Sequence, residues 1–351
     1  MSRAKIILSV LLPLAGVAAG AGYWFYQVRA QSNDATMPLF GLSAVPAEAG
    51  LVGGVDMVAL RQQQWLMDSL RDASGDVQEA ADYRAFVEAT GFDYTRDLNR
   101  VWFGAAGTSQ QPTLVVLAEG RYARDRIVAY AQKEGATASK YREFDVYQVR
   151  TPPPQPGQPE RRASFAFLDD DHLLLSFGPD VQLHERAIDA WQSRVPAFAS
   201  DLARRAELER LAAGQQAWGV AEMEKWKTTV PAGQKPPVDP GLAELVSQVA
   251  VGLNADDEGV RLSAQARCHQ EADAELLHSN LLLLSQLGRL AFSRDKNEQS
   301  QALAETLGNL DLTREANTVQ ARVLVSRSAL ATFLRPPAKT PAASPGSPSS
   351  K

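Results

Sequence analysis

Apolar positions along this chain fall into short runs and alternations, broken at intervals by turn residues, with a few stretches at helical spacing. Leu51 to Leu60 (LVGGVDMVAL) is an alternating apolar run and predicts an opening strand. Ala217 to Trp226 (AWGVAEMEKW) predicts another, in which Gly219-Val220 and Met223 echo Gly54-Val55 and Met57. Val101 to Ala105 and Pro112 to Glu119 are β-rich and flank Gly-Thr-Ser-Gln; Val249 to Asn254 and Gly259 to Arg267 flank Ala-Asp-Asp-Glu-Gly. Both pairs predict hairpins. A helix is expected after each, over Tyr122 to Glu134 and over Glu271 to Phe292, the latter with Leu277, Leu281, Leu284 and Leu287 at three- and four-residue steps.

Both patterns also close alike. Ser164 to Leu168 and Leu173 to Phe177 form a hairpin followed by a helix over Val181 to Trp191; Leu310 to Arg314 and Thr318 to Ser326 form one followed by a helix over Ser328 to Leu334. The expected class is therefore α+β. It comprises largely antiparallel sheets with helices packed on one face, built from a tandem strand–helix–hairpin–helix–hairpin–helix module. The expected organisation runs as head and span 1–29, tether 30–46, module 47–195, bridging helix 196–211, module 212–334 and tail 335–351. The five prolines within 151–162 predict a flexible excursion inside the first module. The Pro- and Ser-rich tail has no large apolar residue with which to offset its ordering entropy.

Charge narrows the function classes. The 36 basic and 41 acidic residues are interspersed, so no concentrated cationic field exists to hold nucleic acid. The single cysteine, Cys268, excludes an internal disulfide and a thiolate metal cluster. From Ile6 to Val28 there is no charged residue, a run long enough to cross the roughly 30 Å of bilayer hydrocarbon. Arg3 and Lys5 precede it, and Tyr23, Trp24, Phe25 and Tyr26 close it, which predicts a single-pass protein with its amino terminus in the cytoplasm and its bulk outside. A cleaved signal peptide ending near Ala19-Gly20-Ala21 is the competing account, and it also implies export, to the periplasm in a Gram-negative cell.

Candidate chemistry is sparse. Asp169, Asp170 and Asp171 beside His172 are the candidates for a divalent-ion site, although aspartates are equally at home in a hairpin turn. Asn254 to Gly259 (NADDEG) offers the same choice. Cys268-His269 juxtaposes a nucleophile and a base, but neighbours on a strand point to opposite faces, which favours a structural thiol. Neither a phosphate-binding glycine loop nor a Gly-x-Ser-x-Gly or His-Glu-x-x-His motif occurs, so no catalytic residue and no cofactor is expected. The helix from Leu276 to Leu290 is apolar around more than one face, which predicts full burial between sheets; the functional alternative is a groove for lipid or another apolar ligand.

The strand Gly53-Gly54-Val55-Asp56-Met57, Gly91-Phe92-Asp93 followed by Leu98, and Phe165 to Leu175 resemble segments of uncharacterised bacterial single-span envelope proteins grouped as domains of unknown function. The resemblance implies location and architecture and carries no activity. The expected role is that of a non-catalytic membrane-anchored envelope protein presenting an interaction or structural domain to a protein partner. The alternatives are a tethered binder of lipid or another apolar ligand, and a hydrolase with dispersed carboxylates.

Overall fold

The computed structural model describes residues 39–73, 81–108, 111–151, 161–227 and 244–334. The expected membrane span 6–28, most of the proline-rich excursion (152–160) and the tail lie outside them. The first half of the chain starts with strand β1 (Leu51–Asp56) and four helices, α1 (Met57–Arg61), α2 (Gln64–Ala73), α3 (Ala81–Thr90) and α4 (Tyr94–Asp97). A long hairpin follows, β2 (Leu98–Thr108) with β3 (Gln111–Gly120), then α5 (Arg124–Lys133) and a meander of β4 (Thr137–Tyr141), β5 (Phe144–Thr151), β6 (Arg161–Phe167) and β7 (His172–Gly178). Helices α6 (Val181–Trp191) and α7 (Leu202–Ala212) lead into the second half. It contains β8 (Ala217–Glu222), α8 (Met223–Lys227), the hairpin β9 (Val246–Ala255) and β10 (Gly259–Cys268), helices α9 (Glu271–Ser293) and α10 (Glu298–Gly308), β11 (Asp311–Glu315), β12 (Thr318–Ser326) and α11 (Arg327–Leu334).

All twelve strands join one antiparallel sheet in the order β11-β12-β10-β9-β8-β1-β2-β3-β7-β6-β5-β4. Counted outward from the β1–β8 pair, the two halves show the same succession, β1-β2-β3-β7-β6 against β8-β9-β10-β12-β11; only the first half adds β5 and β4. At that seam Gly53 faces Gly219. A Cβ on Gly53 would collide with the Phe103 ring and the Trp218 backbone carbonyl, so one aromatic ring and the neighbouring strand's backbone together require the smallest residue there.

Helices cover both faces of the sheet, which corrects the expectation of one helical face. One face carries Val55, Val101, Phe103, Val116 and Leu175 under Met67 of α2, Phe86 of α3, Ile127 of α5 and Leu330 of α11. The other carries Val52, Trp102, Val115, Leu117 and Trp218 under Leu42, Leu183 and Ile188 of α6, and Leu208 of α7. The cause is visible in the strands. Val115 to Ala118 and Leu173 to Leu175 are buried without alternation, so both surfaces are apolar and each needs a lid.

Other boundaries differ for equally local reasons. The opening strands stop early because Asp56 accepts the Ala59 amide at 2.9 Å, starting α1 at Met57; in the second half Met223 likewise begins a helix. Leu39, Leu42, Ala44 and Val45, expected within the tether, are buried, with Leu39–Ala44 forming a 3-10 turn over Trp102. Thr151 pairs with Arg161, and Arg150 with Arg162, so the ends of the 151–162 excursion belong to β5 and β6. The bridging helix begins at Leu202, where Asp201 accepts the amides of Ala203 and Arg204.

Candidate functional site

The acidic residues singled out by sequence are occupied by structure. Asp169 sits in the β6–β7 turn, where its Oδ1 accepts the amides of Asp171 at 2.9 Å and His172 at 2.8 Å. The His172 ring lies 2.8 Å from the same oxygen through Nδ1 and packs against Phe40 and Trp191. Asp169, Asp170 and Asp171 thus form a turn, and among the described residues no group of three or more His, Cys, Asp or Glu side chains gathers to hold a metal ion. In the β9–β10 turn, Asp256 accepts the Glu258 and Gly259 amides and pairs with Arg261 at 2.8 Å, while Arg327 reaches Asp257 at 2.7 Å. This second acidic cluster also braces a hairpin.

Cys268 ends β10, buried against Val246, Ala274, Leu277 and Val319, and burial followed by the charge of Asp273 pushes its thiol pKa up. That environment disfavours the reactive thiolate. Arg100 spans Asp56 at 3.2 Å and Glu119 at 3.3 Å across three adjacent strands, a cross-strand charge ladder at one end of the sheet. His184 on α6, which no sequence pattern singled out, lies deep in the second face with Nδ1 3.0 Å from the Ser176 hydroxyl. Burial lowers its pKa to about 4, and Nε2 has no partner among the described residues. A serine–histidine pair sealed in a hydrophobic core has no route to a substrate, so it is a packing feature.

The feature that calls for a partner is α9. At 23 residues it spans about 35 Å, and only part of one side is covered. Ala274 and Leu277 are buried, and Leu281 packs beside them on the cluster around Cys268. Further along, Gly288 lies against Leu307 of α10, where a side chain would crowd the contact. The opposite side is bare. Leu276, Leu283, Leu287 and Leu290 there are each 52–59% exposed, and on the flanks Leu284, seven residues after Leu277, is 55% exposed and Leu282 37%. Full burial of this helix, expected from its composition, is therefore overturned. Hydrophobicity reported two apolar sides, and the fold provides a neighbour for one.

The best-formed cavity among the described residues, about 260 Å³, lies between α7 and the open surface of β9, β10 and β12. Its lining includes Arg210, Gln215, Gly252, Ser263, Gln265 and Arg322, a polar set remote from Leu281 to Leu290. The leucines are exposed together along α9. Together they present on the order of 400 Å² of hydrocarbon, the scale at which an exposed patch marks an interaction site.

Residues 7–288 match the family described as protein of unknown function (DUF3352). The chain belongs to DUF3352. The match runs from β1 through β10 and into α9 as far as residue 288, so all the exposed leucines of α9 but Leu290 lie within the shared region. Solved structures similar to this DUF3352 chain include crystal forms III, I and IV of TP0453, each 11% identical. Their TM-scores are 0.47, 0.44 and 0.45, over 83%, 84% and 86% of this chain and 96%, 97% and 97% of those chains. No curated relative matches the sequence.

Proposed function

We propose that this DUF3352 protein is a non-catalytic envelope protein, anchored by residues 6–28, that presents its folded region outside the cytoplasm and binds a partner protein through the leucine row of α9. The row itself carries the proposal: five leucines more than half exposed on one helix, where elsewhere among the described residues Leu202 alone of the large apolar side chains is so exposed. Covering the exposed half of those side chains is worth at most about 10 kcal/mol at about 25 cal/mol per Å², a reservoir that a monomer in water leaves unused. The acidic and nucleophilic candidates support a structural role, because each is engaged in a turn, an ion pair or the core. The uncharged 6–28 segment, with Arg3 and Lys5 before it and aromatic residues at its end, supports the anchored topology.

Two measurements test this. A reporter fused after Lys351 should be active only in its exported form; activity confined to the cytoplasmic form refutes the topology. A photo-cross-linking residue at Leu287 should yield protein adducts in intact membranes, whereas the same residue at exposed Arg205 on α7 should not. Equal yields at the two positions, or none at either, refute the assignment of the surface.

A further inference from the structure

The exposed side of α9 has a repeat that identifies its occupant. Read along the helix, Asp273, Leu276, Asn280, Leu283, Leu287, Leu290 and Arg294 succeed one another at alternating steps of three and four residues. That is the seven-residue spacing by which one helix presents a continuous seam to another. Leucine fills four of the seven positions, a lone asparagine interrupts them, an acid stands at the first and a base at the last. Asn280 donates to the Leu276 carbonyl at 2.8 Å, so its side chain lies along the seam without opening the helix.

Resting on the interaction role proposed above, we infer that this seam is self-complementary and that α9 pairs antiparallel with α9 of a second copy of the same chain. Antiparallel pairing centred between Leu283 and Leu284 sets Asp273 of each copy beside Arg294 of the other and places the leucines between them. Parallel pairing sets Asp273 against Asp273 and Arg294 against Arg294, which costs the like-charge repulsion that the antiparallel arrangement converts to attraction. The antiparallel arrangement also brings Asp273 and Glu275 near the opening of each helix towards Arg294 and Lys296 just past the end of the other, with the helix dipoles opposed; Glu271 is already paired with Arg314.

Charge argues against a lipid surface as the occupant. Residues 276–288 contain no Lys or Arg, and the helix opens with three acids, whereas helices that lie on anionic bilayers flank their apolar side with cations. The carboxy-terminal stretch 335–351 has no large apolar residue to seat on a leucine row. Two such rows together bury on the order of 800 Å², just under the roughly 1,000 Å² of a stable specific interface, so the pair is weak in dilute solution. Confinement of both copies to one membrane raises their effective concentration and favours the pair there.

The test uses the full-length chain in its membrane, with Cys268→Ala removing the native thiol and single cysteines introduced on the seam. Leu283→Cys should give a disulfide-linked dimer under mild oxidation. Leu276→Cys alone should not, but coexpressed with Leu290→Cys it should give the mixed dimer. Leu283→Glu combined with Leu287→Glu should weaken the pair about 100-fold in sedimentation of the detergent-solubilised chain. A Leu276→Cys homodimer without the mixed species overturns the antiparallel arrangement. Absence of every adduct, or dimerisation unchanged by the double glutamate variant, overturns self-pairing. If photo-cross-linking at Leu287 still captures a different protein, self-pairing alone falls and the broader interaction role stands; if it captures nothing, both fall together.

Discussion

Protonation of His184 should unfold this protein from within. The imidazole is 1% exposed, in the layer between α6 and the second face of the sheet, and its one polar neighbour is the Ser176 hydroxyl at 3.0 Å. A charged ring would bury a second N–H with no acceptor at Nε2, which is why burial lowers the folded-state pKa to about 4, against an ordinary value of 6.5. Between those values the unfolded chain binds a proton that the folded chain refuses. Stability is therefore fully present above about pH 6.5, declines as pH falls through that window and levels off below about pH 4. The difference in pKa corresponds to about 3 kcal/mol at this site, a large share of the 5–15 kcal/mol typical of a folded domain. Urea unfolding of the detergent-solubilised chain at a series of pH values from 7.5 to 4 should show the decline. His184→Gln should remove about 3 kcal/mol of the pH-dependent part, whatever it does to stability at pH 7.5. Parallel pH profiles for the two proteins, or a ring that titrates by NMR near pH 6.5 in the folded chain, would refute the reasoning.

Other expectations follow from specific contacts. Gly53→Ala places a methyl group between Phe103 and the Trp218 carbonyl in the β1–β8 seam, and should cost about 2–3 kcal/mol in a thermal or urea melt; an unchanged Tm contradicts the packing described. Asp180→Ala deprives α6 of a cap that accepts the Gln182 and Leu183 amides, and should cost about 1 kcal/mol with no change in cooperativity. Asp169→Ala should loosen the β6–β7 turn by a similar amount, and neither Ca²⁺ nor a chelator should shift the Tm of the unaltered protein by way of this turn. A Ca²⁺-dependent rise in Tm that vanishes in Asp169→Ala would reinstate an ion site.

Local chemistry made much of this architecture legible. The extended runs around Val101, Val115, Leu174 and Val260 announce strands, and Asp180 marks the start of α6 because an aspartate before an apolar periodic stretch satisfies free amides. Both hairpin pairs were visible because turn residues separate β-rich runs. The meander strand β4 was not, because Thr137-Ala138-Ser139-Lys140-Tyr141 carries almost no apolar pattern and owes its conformation to pairing with β5. The burial of Leu39 to Val45 was hidden for a related reason. A short apolar stretch bounded by Pro38 and Pro46 acquires meaning only when Trp102, some sixty residues away, provides the surface it covers. The second helical layer and the exposed leucines show one limit from opposite directions. Hydrophobicity tells which surfaces need cover, and only the fold tells which of them receive it. The seam on α9 is written in the sequence as alternating three- and four-residue steps, on the side of the helix away from Ala274, Leu277 and Leu281.

A sheet that grows by adding strands sideways has no built-in stopping point, and twelve strands leave only two places where growth could continue. Both terminal strands are five residues long and almost wholly solvent-facing: β4, with Lys140 near its end, and β11, with Asp311, Arg314 and Glu315. Short, charged borders of this kind refuse a stranger's backbone. Molecules at high local concentration can therefore meet repeatedly along these rims without joining strand to strand.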